Sequence, residues 1–281
     1  QKAQLRAVFK NFVSLSAVQW ANYLLPLLLI PYLVQTLKLE SYGIVVFAQS
    51  LMVFFHLFID FGFDYSAAKV VAINRSKTQF LSKLYWTIVY VKLIFIILSS
   101  LALSLILLIF GDRLPGDSTI YWFSFLAITC QALVPNWFFQ GVEDMKYVAL
   151  FNLSARAIYF VSVFLVVKTA KDYQLVPFLN FAAFFIVFVI SMIFVTLRYK
   201  MFFFAPSKFS ITAQIKESSH FFYARFLGNI ASASCVLVLG LFISSGSVAI
   251  YSVAEKIMKA YQGAASSASR AIYPYMSRKQ D

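Results

Sequence analysis

Phe12 to Leu37 reads FVSLSAVQWANYLLPLLLIPYLVQTL, an apolar run interrupted by Pro26 and Pro31 and carrying the amides Gln19, Asn22 and Gln35. About 20 helical residues cross the hydrocarbon core of a bilayer, so the run predicts a transmembrane span. Each proline removes a backbone donor and collides with the preceding turn, which predicts a bend near the middle of that span. In lipid the freed carbonyls need partners or a watery cavity. A bent first span with buried amides suggests the wall of a translocation path. The plainer alternative is a tilted span whose amides only tie helices together.

Composition extends this reading to the whole chain. With 61% hydrophobic residues, 12% charged residues and a mean hydropathy of +0.79, a soluble domain is excluded. The apolar runs are too many and too long for a cleaved leader to explain. The fold class expected is an all-α polytopic membrane protein. The net charge of +13 raises nucleic acid as a partner, but Lys and Arg gather in short connections between spans, where they set topology, and nucleic acid is excluded. Cys130 and Cys235 fall inside spans and lack metal-ligand spacing, so both read as small apolar residues.

Eight spans follow along the chain. After Phe12 to Leu37 a turn from Lys38 to Tyr42 leads to a second span at Gly43 to Ile73. The third covers Leu84 to Phe110 and ends in the polar turn GDRLPGD. The fourth runs from Ile120 to Gly141, the fifth from Tyr147 to Val167 and the sixth from Val176 to Arg198. A basic connector, Tyr199 to Lys216, precedes the seventh at Phe221 to Ile243, and SSGS turns the chain into the eighth at Val248 to Met276.

The N-terminus and the even-numbered connections hold 14 Lys and Arg residues against 4 in the odd-numbered connections, which predicts both ends of the chain in the cytoplasm. A shift of 206 residues lays GIVVFAQS (Gly43 to Ser50) over AIYSVAEK (Ala249 to Lys256), hinting that spans 7 and 8 restart what spans 1 and 2 began. The domain expectation is then a six-helix first lobe at 1–200, a cytoplasmic connector at 201–217 and the first two helices of a second lobe at 218–281. The missing initiator Met suggests trimming at one end, and the ending at Arg278 to Asp281 suggests truncation at the other.

Six bases lie within spans: Lys92, Arg156, Arg225, Lys256, Lys259 and Arg270. An ionisable group at bilayer depth costs roughly 2.5–3.5 kcal/mol on insertion scales, so it faces a cavity or a partner. Lys256, Lys259, Gly263, Ser266 and Arg270 recur at steps of three and four on one helix face, with Glu255 in reach of Lys259. Together with Arg225, Arg156 and Lys92 they suit a phosphate or another anionic head group. The bland reading of Lys92 and Arg156 is a base snorkelling to the interface.

The second span answers with Gln49, His56, Asp60 and Asp64 on one face. The 206-residue shift sets Asp64 on Arg270 and Gln19 on Arg225, which predicts a cytoplasmic gate between Asp64 and Arg270. Against it stands an interfacial Asp bound to water or to Lys69. Gln19, Pro26 and Pro31 then belong to a hinge or gate element facing the head group. His56 reads as structural, with proton coupling as the alternative, and His220 has no assigned role.

No P-loop, dinucleotide fingerprint, metal-spaced His/Cys cluster or nucleophile elbow is present, so no catalytic residues, metal or cofactor are expected and work must come from gradients. The sequons at Asn74 and Asn152 fall in a cytoplasmic connection and in a span, and are chance matches. Moving about two negative charges outward gains about 4.6 kcal/mol at 100 mV.

LLPLLLIPYLVQTLKLESYGIVVFAQS, FIDFGFDYSAAKVVAINR and above all PNWFFQGVEDMKYVALFN (Pro135 to Asn152) resemble the polysaccharide-transporter family, the O-antigen and related oligosaccharide flippases of the multidrug/oligosaccharidyl-lipid/polysaccharide exporter superfamily. ARFLGNIA, VAIYSVAEKIMKAY and AIYPYMSRK fit too, so the resemblance runs over essentially the whole chain. It implies two six-helix lobes in a V that alternate between cytoplasmic and periplasmic openings, of which this chain holds eight helices. It also implies a multi-pass protein of the bacterial inner membrane that is a transporter and not an enzyme. Its cargo would be undecaprenyl-pyrophosphate-linked oligosaccharide, with polysaccharide polymerase and chain-length machinery as partners. Arg225, Lys256 and Lys259 would face phosphate from the second lobe, and Arg156 and Lys92 from the first. A lipid II flippase and a cation-coupled drug antiporter of the same superfamily remain alternatives. So does a membrane polymerase or glycosyltransferase, although the short loops leave little room for one.

Overall fold

A computed structural model describes the backbone of residues 2–277, with side chains described for residues 25–228 and 234–263. The chain is an all-α polytopic membrane protein, with no strand among the described residues. Its helices are α1 (Lys2–Asp60), α2 (Phe63–Ile73), α3 (Thr78–Phe110), α4 (Ser118–Leu133), α5 (Asn136–Gly141), α6 (Met145–Val166), α7 (Leu175–Arg198), α8 (Lys208–Phe242) and α9 (Ser245–Ser277). Among the described residues five helical stretches are long and apolar enough to cross a membrane: Leu25–Ile73, Thr78–Arg113, Ser118–Gly141, Met145–Val166 and Ala170–Arg198.

The first of these has 49 residues, more than twice the ~20 that one crossing needs, and it is broken in two. The break falls at the start of the turn expected from Lys38 to Tyr42, and not at the prolines. Pro26 and Pro31 lie inside helical backbone, whereas Lys38 leaves it at φ 64°, ψ 164°. Proline's own fixed φ is compatible with a helix, so each proline removes one hydrogen bond without ending the run. Lys38 instead occupies a region that is almost exclusive to glycine. Lys38→Gly should therefore raise stability by about 1 kcal/mol, read as a higher thermal midpoint in detergent. An unchanged midpoint would mean that Lys38 carries no strain.

Two expected spans are also discontinuous. The second breaks at Phe61 (φ 45°) and Gly62 (φ 80°) before resuming as α2. The fourth breaks at Val134, which is extended, as the residue before Pro135 tends to be. The short α5 that follows buries Trp137, Phe138 and Phe139. Beyond it Arg75 donates from Nε to the Gly141 carbonyl at 2.9 Å and pairs with Glu143 at 2.6 Å. The Arg75 hydrogen bond holds the Glu143 carboxyl below its ordinary value, so what this exposed pair contributes is present at neutral pH and lost on strong acidification. The segment that carries the most specific resemblance is thus a clip between two connections. α8 starts at Lys208, inside the stretch expected as connector.

Helix faces sort by solvent. On α7 the buried set is Val176, Pro177, Ala183, Phe184, Val187, Ser191 and Val195, while Ile186, Ile190, Ile193 and Leu197 form an exposed apolar stripe suited to lipid. Two apolar clusters fill the interior. One joins both arms of α1 to α3, α4, α6, α7, α8 and α9, and the other joins α2, α3, α4, α5, α6 and α7. Tyr32 donates to the Val167 carbonyl at 2.7 Å, tying the first arm to the end of α6. Helix contacts in lipid depend on close packing. Gly43 shows how close: a Cβ there would lie 1.8 Å from the Ser245 carbonyl oxygen.

Candidate functional site

Both arms of α1, with α4, α6, α7 and α9, enclose a cavity of about 240 Å³. Arg156 of α6 and Lys256 of α9 both line it, and among the described residues none that lines it is acidic. Lys256 donates from Nζ to the Tyr42 hydroxyl at 3.0 Å and sits 5.5 Å from that ring's centre, a cation–π arrangement. Tyr159, one turn beyond Arg156, lines the same wall. The Nε of Arg156 is buried with no hydrogen-bond partner among the described residues. Gln49, Gln131 and Asn180 supply the remaining polar surface. A second cavity of about 210 Å³ shares Gln49 and Lys256 with the first and adds Lys259 and Glu255. Those two pair at 2.7 Å, as their i, i+4 spacing predicts. Two cations with no counter-ion among the described residues, in a low-dielectric setting, can hold an anion strongly.

A separate charged cluster forms where the second span breaks. Lys92 of α3, only 2% exposed, donates from Nζ to Asp60 Oδ1 at 3.1 Å and to the Ala132 carbonyl at 2.7 Å. Ala132 lies in the last turn of α4, so Lys92 satisfies a carbonyl left over when that helix stops before Pro135. Arg225 of α8 binds the other oxygen of Asp60 and stands 3.8 Å from Asp64. The aromatic and hydroxyl contacts around it are just as close. Phe61 stacks on Phe222 at 4.6 Å, and the Ser66 and Ser218 hydroxyls meet at 2.7 Å. His56 lies one turn before Asp60, its Nδ1 buried without a hydrogen-bond partner. Charges this deep are tolerated because each is matched.

The bases singled out in the sequence therefore divide. Arg156 and Lys256 meet at the first cavity, and Lys259 with Glu255 at the second. Lys92 and Arg225, expected to face phosphate, are brought instead to Asp60, and Lys92 lines neither cavity. The cause is tertiary, since Asp60 and Lys92 lie on different helices. Asp64, expected opposite Arg270, faces Arg225. The side chains of Gln19 and Arg270 lie outside the described residues. Pro26 lines the first cavity, and Pro31 lines an apolar groove against Ile250 and Val253 of α9. Sequence reasoning missed Gln131, Asn180, Tyr42 and Tyr159. Gln131 and Asn180 had a signal, an amide inside an apolar run.

Residues 8–280 match the family model described as "Polysaccharide biosynthesis protein". The chain belongs to that family. Within the polysaccharide biosynthesis family it is 27% identical over 268 residues to a protein of Escherichia coli (strain K12) named "Putative O-antigen transporter", covering 95% of this chain and 64% of the relative. A Shigella dysenteriae protein of the same name is 27% identical over 271 residues, covering 96% and 67%. The chain thus spans about two thirds of the length of these relatives. No solved structure matches it.

Proposed function

We propose that this chain forms part of a flippase that moves undecaprenyl-pyrophosphate-linked oligosaccharide repeat units of the O-antigen type across the bacterial inner membrane by alternating access. Its N-terminus faces the cytoplasm, and polysaccharide polymerase and chain-length machinery receive the product. The observation that carries this reading is the pairing of Arg156 and Lys256 on one cavity that no carboxylate among the described residues lines. The Arg156 guanidinium offers a planar fork to phosphate oxygens and Lys256 a compact second charge. The Asp60–Lys92–Arg225 cluster acts as the gate contact, holding α8 against α1 and α3 while the path is shut on that side. Export of a diphosphate is driven by the membrane potential, at ~2.3 kcal/mol per charge per 100 mV. Family membership and the names of the two relatives agree with this reading.

The double change Arg156→Gln and Lys256→Gln removes two charge-assisted contacts, each worth about tenfold or more. Surface polysaccharide should fall by about that factor squared, with lipid-linked oligosaccharide stranded on the cytoplasmic leaflet and the protein still at normal level in the membrane. Wild-type export by the double variant would sink the assignment.

A further inference from the structure

Gln49, Gln131 and Asn180 come from three separate elements, the second arm of α1, α4 and α7, yet all three line the cavity that holds Arg156 and Lys256. Each is half-buried, and none of the three carboxamides makes a hydrogen bond to any described residue. Amides in membrane helices ordinarily bond across to a neighbouring helix and so act as glue. These three do not. An unpaired polar group away from bulk water is unfavourable, and three converging on one space need a polar ligand or water there.

The identity of that ligand follows from the groups available. A carboxamide both donates and accepts, which matches a hydroxyl group that does the same. The rings of Tyr42 and Tyr159 add aromatic surface to the same wall. The cavity, of about 240 Å³, is large enough to admit a sugar ring.

We infer that Gln49, Gln131 and Asn180 form a subsite that reads the hydroxyl groups of a single pyranose next to the anion held by Arg156 and Lys256. This rests on the proposed anion site and adds its specificity. Phosphate binding comes from the two bases, and sugar discrimination comes from the three amides. A free sugar phosphate and the phosphate-proximal sugar of a lipid-linked glycan share this chemistry.

The test measures binding to the purified protein in detergent with inorganic pyrophosphate and a panel of glucose, galactose and N-acetylglucosamine 1-phosphates. The wild type should bind at least one sugar phosphate about tenfold more tightly than pyrophosphate. Gln131→Leu and Asn180→Leu, apolar changes of similar size, should erase that preference while leaving pyrophosphate affinity within about twofold. Arg156→Gln should weaken both classes of probe. Displacement of the bound sugar phosphate by a polyprenyl-linked monosaccharide diphosphate would identify the lipid-linked source, and its failure would overturn the flippase reading alone. Pyrophosphate binding with no sugar preference, or a preference that survives both amide changes, overturns the subsite and leaves the anion site standing. If no probe binds, both readings fall.

Discussion

Asp60→Asn should destabilise the protein by about 3–5 kcal/mol, because it strands a buried ammonium. Lys92 is 2% exposed and Asp60 3%, so neither water nor lipid headgroups can take over the lost charge. The Ala132 carbonyl and the oxygen of the new carboxamide could still accept from Lys92, but neither carries a charge to balance it. Arg225 would suffer less, since its side chain is 29% exposed and Asp64 stands 3.8 Å away. In detergent the thermal midpoint should drop by on the order of 10 °C. The decisive comparison is the double variant Asp60→Asn with Lys92→Met. Removing both charges leaves a neutral carboxamide and an apolar side chain where the pair stood, with no stranded ammonium, and most of the loss should return. A single variant that melts like the wild type, or a double variant no better than the single, would show that the pair does not hold this region together.

Gly43→Ala should remove about 1–3 kcal/mol, and it does so through shape and not charge. The new methyl group would stand 1.8 Å from the Ser245 carbonyl oxygen, 2.4 Å from its carbon and 3.0 Å from the Ser245 Cα. All three atoms are backbone, so no side-chain rotation relieves the overlap and the second arm of α1 must part from the α8–α9 junction. The nearby hydrogen bond from the Gly246 N–H to Glu40 at 3.2 Å would be strained by the same displacement. Gly111→Ala is the control, because nothing lies within 4 Å of a Cβ there. The thermal midpoint should fall for the first and stay for the second. Equal midpoints would show that the junction yields without loss.

The spans were legible in the sequence because lipid demands unbroken apolar length, and runs such as Leu84 to Phe110 supply it. The breaks within spans were not. Gly43 to Ile73 carries Asp60 and Asp64 on either side of Gly62, and both read as site residues on one continuous helix face and not as the mark of a helix end. Pro26 and Pro31 look like breakers, yet both lie inside helical backbone, and the chain gives way at Lys38, where the polar turn from Lys38 to Tyr42 was expected. The candidate site divides along the same line. Arg156 and Lys256 stood out because a base at bilayer depth is costly. That Lys92 would be answered by Asp60 depends on how α3 lies against the end of α1, which no local pattern records. Gln131 and Asn180 carry no charge, and an amide in an apolar helix reads equally well as glue between neighbours.

The segment from residue 39 to residue 60 is bounded by Lys38 at one end and by Phe61 and Gly62 at the other, all three with positive φ. It is a stiff rod between two swivels. Gln49 and Asp60 lie eleven residues apart on it, close to three helical turns, and so project to nearly the same side. One residue lines the cavity and the other anchors the ion pairs. Any roll of the rod that pulls Asp60 off Lys92 and Arg225 must turn Gln49 through the same angle, so opening the lock and re-dressing the cavity wall are a single movement.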